Sequence, residues 1–453
     1  MLDDLEPHAK RLAKLALQQD FVEVVAHIDA DGLCSAAIAS TALERAGIEH
    51  SITFLRQLDG KAIEGFAERD NFMWFVDLGS GMYDELRTRD CIITDHHLPG
   101  STEMEKQLNP HLLGHDGGTE ISGAGVTYLV ARAMNEENRD AAFLAVVGAV
   151  GDMQDNDPCA LIGLNREIVK EAGVDAIRDL RYFGRETRPI FKLIQYASDP
   201  PIPGVSGLES TAIKFLKGCD VELKEGGSWR CWVDLDSEEK KRIVSSIVKT
   251  LLRNGFGFRR AMRVVGEVYV LRGETPGTIL HDAREFSTLL NSCGRHSMPE
   301  VGVAVCLGDR KEFYKKAMNM LNEHRAALAN GVEIVRGLGI SRMENIMFFD
   351  SGSKIDERIV GIIAGMVLEK ERLSKPLIAL AVTETGELKI SARATRGMVE
   401  KGVDLSRSLN TASTKVGGYG GGHKMAAGAT IPSERRDEFL HILDALLEKQ
   451  TIS

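Results

Sequence analysis

Three apolar runs within the first hundred residues each end in side chains that ligate metals. Val22 to Ala26 runs into His27-Ile28-Asp29-Ala30-Asp31-Gly32, Phe72 to Val76 into Asp77, and Cys91 to Thr94 into Asp95-His96-His97. An apolar, β-branched run of about four to six residues reads as a buried strand of a parallel α/β sheet. Ligands of such sheets gather at the carboxyl ends of the strands, where these imidazoles and carboxylates fall. The pattern therefore constrains fold and chemistry together: a doubly wound α/β domain that carries a metal site.

A chain of 453 residues, 43% hydrophobic and 27% charged, is long enough for two or three domains with well-buried cores. No apolar run approaches the ~18 to 20 residues of a membrane span, and Met1 to Glu6 lacks the basic and apolar parts of a secretory signal. A cytoplasmic protein with no membrane contact is expected. The seven cysteines are an odd number without a Cys-x-x-Cys pair, so buried reduced thiols are expected rather than a zinc ribbon or a disulfide framework. A net charge of −10 argues against wrapping a long duplex by electrostatics alone and leaves room for a local basic groove.

The organisation reads as three parts and a connector. Residues 1–204 alternate strand-like and helical runs, such as the helical spacing from Leu33 to Arg45. Residues 205–309 change character, with Trp229, Trp232 and a Lys/Arg-rich helical stretch, and read as an inserted middle domain for nucleic acid or a partner. A long polar helix over 310–335 leads into a second α/β unit, 336–453, with strands expected near Ile346 to Phe349, Leu377 to Val382 and Lys389 to Ala392.

His27, Asp29 and Asp31 alternate, so on an extended strand end all three point the same way, as a ligand trio requires. His27 and Asp29 suit one ion. Asp77 is placed to bridge two, and His96 adds an imidazole to the second. Gly148 to Asp152 supplies a fourth carboxylate, again at the end of an apolar run with a Gly-flanked turn. Singly, an Asp at a strand end is more often a helix cap or turn former. Six clustered ionisable groups without a metal would be costly to bury, so the group is read together as a site. Histidine and carboxylate donors without cysteine suit Mn²⁺, with Mg²⁺ as the alternative and Zn²⁺ less favoured. Two such ions clamp the attacking and leaving oxygens of a displacement at phosphorus, so phosphoester hydrolysis is expected. Asp155, Asp157, His111 and His115 are read as solvated loop residues.

These motifs resemble the four signatures of the DHH phosphoesterase superfamily: His27-x-Asp29-x-Asp31-Gly32, Asp77, Asp95-His96-His97 and the turn at Asp152. Gly417-Gly418-Tyr419-Gly420-Gly421-Gly422-His423-Lys424-Met425-Ala426-Ala427-Gly428 is similar to the glycine-rich signature of the accompanying DHHA1 domain. Phe183 to Pro189, Asp199 to Gly207 and Leu290 to Arg295 resemble archaeal RecJ-like exonucleases. The resemblance implies His27, Asp29 and Asp77 on one Mn²⁺, and Asp31, Asp77, His96 and Asp152 on the other. It puts His97 against the scissile phosphate or in the role of orienting a ligand, Arg393 with Ser391 on substrate phosphate, and the active cleft between the two end domains. His27 departs from bacterial RecJ, which more often has Asp there. With all four motifs intact, the chain does not follow the inactivated relative that serves as a scaffold in the eukaryotic replicative helicase.

The glycine-rich segment also has a reading of its own: without Cβ atoms, backbone N–H groups at Gly420, Gly421 and Gly422 approach a phosphate closely, and His423 adds donors. Two basic stretches stand against the acidic background, Arg178 to Lys192 with five Lys/Arg and two acids, and Lys240 to Arg272 with nine and one. A solvated helix face is the usual meaning of such runs, and Phe256 and Phe258 among the arginines point weakly to base stacking. The function expected is an exonuclease on single-stranded DNA or RNA, acting 5′ to 3′, in replication or repair. The alternatives are hydrolysis of pAp or of di- and trinucleotides, and a replisome scaffold bound to the GINS complex.

Overall fold

β1 (Phe21–His27), β2 (Glu49–Leu55), β3 (Phe72–Val76), β4 (Cys91–Thr94) and β5 (Gln107–Leu108) form an all-parallel sheet in the order β2-β1-β3-β4-β5. The computed structural model describes residues 4–66, 69–371 and 373–451 and divides into two units, Met1–Leu321 and Asn322–Ser453. Every side chain of β3 and β4 is buried. Alternate residues enter different cores: Phe72, Trp74 and Val76 join Val22 and Val24 on one face, and Met73 and Phe75 join Val25 and Ile93 on the other. Burial on both faces is why these strands read as unbroken apolar runs. The strand order reverses between β1 and β3, which opens the crevice where ligands of doubly wound sheets bind. His27 ends the first of these strands and Asp77 follows the second.

After β1 the chain turns at once into the helix Ala30–Arg45, capped by Asp29, whose Oδ1 accepts from the Gly32 N–H at 3.0 Å. The extended trio expected at His27, Asp29 and Asp31 is therefore corrected: the strand stops at His27, Asp29 is the cap and Asp31 lies in the first helical turn. The apolar run before Asp152 is likewise a helix, Ala142–Gly151, and Asp152 sits at its carboxyl end. Both helices pack into the larger core, with Gly123–Met134 beside them.

The middle of the chain divides between two cores. β6 (Val174–Leu180) pairs antiparallel with β9 (Val265–Leu271), β7 (Lys224–Glu225) and β8 (Ser228–Trp229) form a short hairpin, and the helix Ser237–Arg253 lies between. Leu180, Ile190, Trp232, Ile243, Ile247 and Val264 share a core of their own. The helices Ala283–Arg295 and Pro299–Cys306 instead return to the larger core through Phe286, Leu289, Leu290 and Val301, so the 205–309 stretch is shared between the two. At its root lies a buried polar network: Arg185 reaches Asp179 at 2.6 Å and Asp282 at 2.9 Å, and Arg181 reaches Asp155 at 2.9 Å. Asp155 is only 2% exposed and also pairs with Arg284, which corrects its reading as a solvated residue. Asp157 is exposed as expected, whereas His115 is half-buried and contacts Asp4 at 2.9 Å. His111 is half-buried too, in the short turn Pro110–Leu113.

In the second unit, β10 (Ser341–Arg342), β11 (Met347–Asp350), β12 (Leu377–Val382), β13 (Leu388–Arg393), β14 (Tyr419–Gly422) and β15 (Ala426–Ile431) build a mixed sheet. Its order is β10-β11-β12-β13-β15-β14, with β11 and β12 parallel and the other pairs antiparallel. The helix Glu312–Leu338 precedes it, and Val360–Lys370 and Leu405–Lys415 are among its helices. The glycine-rich segment holds the edge strand β14 and the start of β15. Among the described residues, no helix is long and apolar enough to cross a membrane.

Candidate metal centre

Asp77 is the hinge of the site. It has φ 60°, a left-handed conformation in which aspartate is one of the few side chains tolerated, and its N–H donates to the Thr94 carbonyl at 2.9 Å. That turn directs a carboxylate only 1% exposed into the crevice, where Oδ2 lies 3.5 Å from His27 Nδ1 and Oδ1 lies 3.3 Å from His96 Nε2. The Gly123 position makes room for it, since a Cβ there would stand 2.3 Å from Asp77 Oδ1.

Around Asp77 the donor atoms form overlapping clusters: His27 with Asp29 and Asp77, Asp31 with His96 and Asp152, and Asp77 with His96 and His97, each within 4.8 Å. His27 Nδ1 is 3.0 Å from Asp29 Oδ2, and His96 Nε2 is 3.7 Å from Asp31 Oδ2 and 3.3 Å from Asp152 Oδ2. Asp31 is also anchored at the start of the helix Gly123–Met134, accepting from Gly123 N at 2.6 Å and Ala124 N at 3.0 Å.

The fit to divalent cations rests on the proton inventory. His96 Nδ1 lies 2.7 Å from the Gly117 carbonyl, which can only accept, so Nδ1 carries the proton and the Nε2 lone pair faces three carboxylates. Acceptor against acceptor is repulsive unless a cation lies between them. Three buried atoms of the site, His27 Nδ1, Asp77 Oδ1 and His96 Nε2, have no hydrogen-bond partner among the described residues. Four carboxylates and two neutral imidazoles carry four negative charges, which two divalent ions balance.

The electrostatics agree. Burial opposes charge on His27, but the carboxylates of Asp29 and Asp77 overcome it and push the imidazole up to about 11. His96 is raised in the same way against its burial by Asp77, Asp31 and Asp152. Burial and then the Asp77 and Asp152 charges push Asp31 well above the usual carboxylate range, and burial lifts Asp152 to about 6. Asp77 resists its burial and is held low by the two imidazoles. Such a cluster gathers protons when no cation is present, and metal ions take the place of those protons.

Supporting residues complete the centre, and the sequence reading assigned them no such role. Asp95 is 1% exposed: Oδ2 accepts from Ser80 N at 2.9 Å, and Oδ1 accepts from His96 N at 2.8 Å, His97 N at 3.1 Å and His97 Nδ1 at 2.8 Å. Gln154 donates to the Gly117 carbonyl at 2.9 Å and is held by Asn165 at 2.6 Å. Asn291 Oδ1 accepts from Ala30 N at 3.0 Å, and a Cβ on Gly294 would stand 2.0 Å from the Ile28 carbonyl oxygen, so the helix Ala283–Arg295 abuts the ligand turn. The local Asp95-His96-His97 motif carried a signal; the partners of Gln154 and Asn291 are distant in sequence and left none.

In the second unit, the register sets Ser391 opposite Gly428 and Gly428 opposite Gly421, so two residues of the expected phosphate site, Ser391 and Gly421, share one row across β13, β15 and β14. Arg393 lies on the same face of β13, two residues on. A Cβ on Gly361, at the start of the helix Val360–Lys370, would meet Arg393 Nη2 at 2.7 Å and Ser391 Oγ at 3.0 Å. Burial lowers the Arg393 guanidinium from its ordinary value. Gly420 packs on Ala429, Gly421 faces open space, Gly422 has φ 135°, and His423 is exposed in the turn that follows.

Residues 22–149 match the DHH family N-terminal domain, residues 182–265 the DHH-CID domain and residues 342–449 the DHHA1 domain. Uncharacterized protein MJ0831 of Methanocaldococcus jannaschii is 32% identical over 467 aligned residues, covering 99% of this chain and 98% of its own. The single-stranded-DNA-specific exonuclease RecJ of Thermus thermophilus is 30% identical over 186 residues, 38% of this chain and 27% of its own length. Exonuclease RecJ bound to manganese superposes with a TM-score of 0.60 at 18% identity, over 99% of this chain and 96% of that one. CDC45 from Entamoeba histolytica superposes with a TM-score of 0.67 at 11% identity, over 98% and 99%. These two likenesses are of fold.

Proposed function

The chain belongs to the DHH/DHHA1 superfamily of phosphoesterases and carries a DHH-CID domain, and from that premise we propose that it is an exonuclease on single-stranded DNA or RNA. The observation that carries the metal-dependent reading is the set of buried atoms on His27, Asp77 and His96 left without a hydrogen bond among the described residues, the imidazole nitrogens turned toward carboxylates and Asp77 Oδ1 toward His96. We assign one cation to His27, Asp29 and Asp77, and a second to Asp31, Asp77, His96 and Asp152, with Mn²⁺ favoured and Mg²⁺ the alternative. When bound, the two ions supply Lewis acidity to the phosphate and lower the pKa of water.

The chain's own residues do the rest. Asp77 would serve both ions, and its left-handed turn holds its carboxylate between His27 and His96 before substrate arrives. His97 is exposed, and its hydrogen bond to Asp95 orients the ring and raises its pKa, which favours the charged ring with Nε2 as a donor to a phosphate oxygen. Arg393, Ser391 and the Gly420–Gly422 strand with His423 receive substrate phosphates, the arginine through its planar fork. The exonuclease named among the relatives supports the choice of single strands. The likeness to CDC45 supports a second reading, a replisome scaffold that binds GINS.

The test is digestion of single-stranded DNA and RNA labelled at either end, with Mn²⁺, beside pAp and a dinucleotide, and with Asp77→Ala as control. Progressive shortening that the variant lacks is expected, and the label that is lost first gives the polarity. Cleavage of the short substrates alone would make the protein an oligonucleotidase or phosphatase. No cleavage of any substrate would favour the scaffold.

A further inference from the structure

Outside the metal centre, cations and aromatic rings of the 182–265 segment come together around the buried Phe191, with Tyr196 and Trp229 the exposed rings. Lys224 Nζ lies 4.3 Å from the centroid of Trp229, and the Trp229 ring lies 4.6 Å from Phe191. Lys192 Nζ then stands 5.4 Å from Phe191 and 5.8 Å from Tyr196. The Arg188 guanidinium follows, 5.2 Å from Tyr196 and 4.5 Å from Phe183. Tyr196 and Trp229 are 53% and 44% exposed, unusual for rings of their size in a chain that buries Trp74, Trp232 and Tyr128 completely.

Part of the acidity of this segment is turned inward, while Glu209 and Glu225 stay exposed beside Lys192 and Lys224. The acids of the Arg178 to Lys192 run point inward: Asp179 accepts from Trp232 Nε1 at 3.0 Å and pairs with Arg185, while Glu186 is 3% exposed and accepts from Gly277 N at 2.9 Å. Arg181 and Arg185 turn inward with them. Arg188 and Lys192 are left on the outside. Lys192 also meets Glu209 at 2.6 Å, an exposed pair of small worth that a phosphate can displace. The Phe183 end of the ladder lines a small cavity together with Val150, in the helix that ends at Asp152.

We propose that this ladder is a docking track for single-stranded nucleic acid, with bases stacked on Tyr196 and Trp229 and phosphates beside Arg188, Lys192 and Lys224. Exposed rings beside cations match the bases and phosphates of a strand, and stacking needs no particular sequence. A protein partner would call for an apolar centre with a polar rim, and this surface interleaves the two instead. The track deepens the proposed function and rests on its reading of single strands as substrate: it makes affinity depend on strand length.

The experiment is fluorescence anisotropy with the full chain, in EDTA so that nothing is cleaved, using labelled single strands of about 6 and about 30 nucleotides. Tyr196→Ala with Trp229→Ala is expected to weaken the longer strand by about tenfold to a hundredfold and the shorter one far less. Tyr196→Phe with Trp229→Phe, which keeps the rings, is expected to restore binding, and this excludes a merely misfolded variant. Equal affinity of the Ala variant and the unaltered chain for the long strand would overturn the track and leave a protein-docking surface. Hydrolysis by the unaltered chain with Mn²⁺ is scored separately. Ring-dependent binding without hydrolysis would sink the exonuclease and keep the track, and hydrolysis without ring-dependent binding would do the reverse.

Discussion

Asp95 Oδ1 accepts the His97 Nδ1 proton at 2.8 Å, although a single residue separates them. The same oxygen also takes two backbone N–H groups, so one buried carboxylate fixes both the ring and the turn that presents it. Asp95→Asn keeps the size and loses the charge. A fall in kcat of about tenfold to a hundredfold is expected, with a smaller change in KM, because orienting partners beside a metal centre typically act at this scale. Unchanged kcat on any cleaved substrate would remove Asp95 from the machinery.

Gly123 touches Asp77 more closely than any other side chain would permit, with a virtual Cβ 2.3 Å from Oδ1. Gly123→Ala must push either the helix start or the carboxylate. Loss of about 1 to 3 kcal/mol of stability is expected, together with Mn²⁺ affinity weakened about tenfold or more in calorimetric titration. A variant that binds Mn²⁺ as before would show that the carboxylate has slack.

Cation binding should be visible without any substrate. A ligand that binds only the folded chain stabilises it by about 2.7 kcal/mol at a hundredfold excess over Kd. Melting in EDTA and then in Mn²⁺ is therefore expected to show an upward shift of several degrees. Asp77→Asn, which disturbs both proposed ion sites, should abolish it; an undiminished shift would locate the responsible ions elsewhere.

Glu285 carries a pH dependence of its own. Burial, and then the charge of Asp282, push it up to about 7, although it accepts from Glu186 N at 2.8 Å. A carboxyl raised on folding contributes stability that is complete below its unfolded pKa of about 4.3 and is lost as pH rises through about 7. The contribution is on the order of a few kcal/mol. Chemical denaturation between about pH 5 and pH 8 should show this loss, and Glu285→Gln should flatten it. A parallel profile for the two chains would assign the dependence to other groups.

The strands were legible where burial is two-sided. Phe72–Val76, Cys91–Thr94 and Leu377–Val382 fall where the apolar runs do, and the acid and imidazoles after the first two lie in the clusters that could hold a cation. Failure came where tertiary structure decides. The run ending at Asp152 is short and apolar, and such a run does not by itself separate a buried helix from a buried strand. Asp155 has partners 26 and 129 residues away, so nothing near it announced burial. The glycine-rich segment is a strand because β15 pairs with it, not because of any local preference.

Ala30 N–H and Asn291 Oδ1 are bonded across 261 residues. During synthesis, the turn that carries His27, Asp29 and Asp31 leaves the ribosome long before the helix that braces it, and the whole 182–265 segment is made in between. The ligand turn must therefore wait, unbraced, through more than half of the chain's synthesis. A nascent chain ending at residue 204 already contains every proposed metal ligand and still lacks the brace, so the centre matures late, only after the middle of the protein has been made.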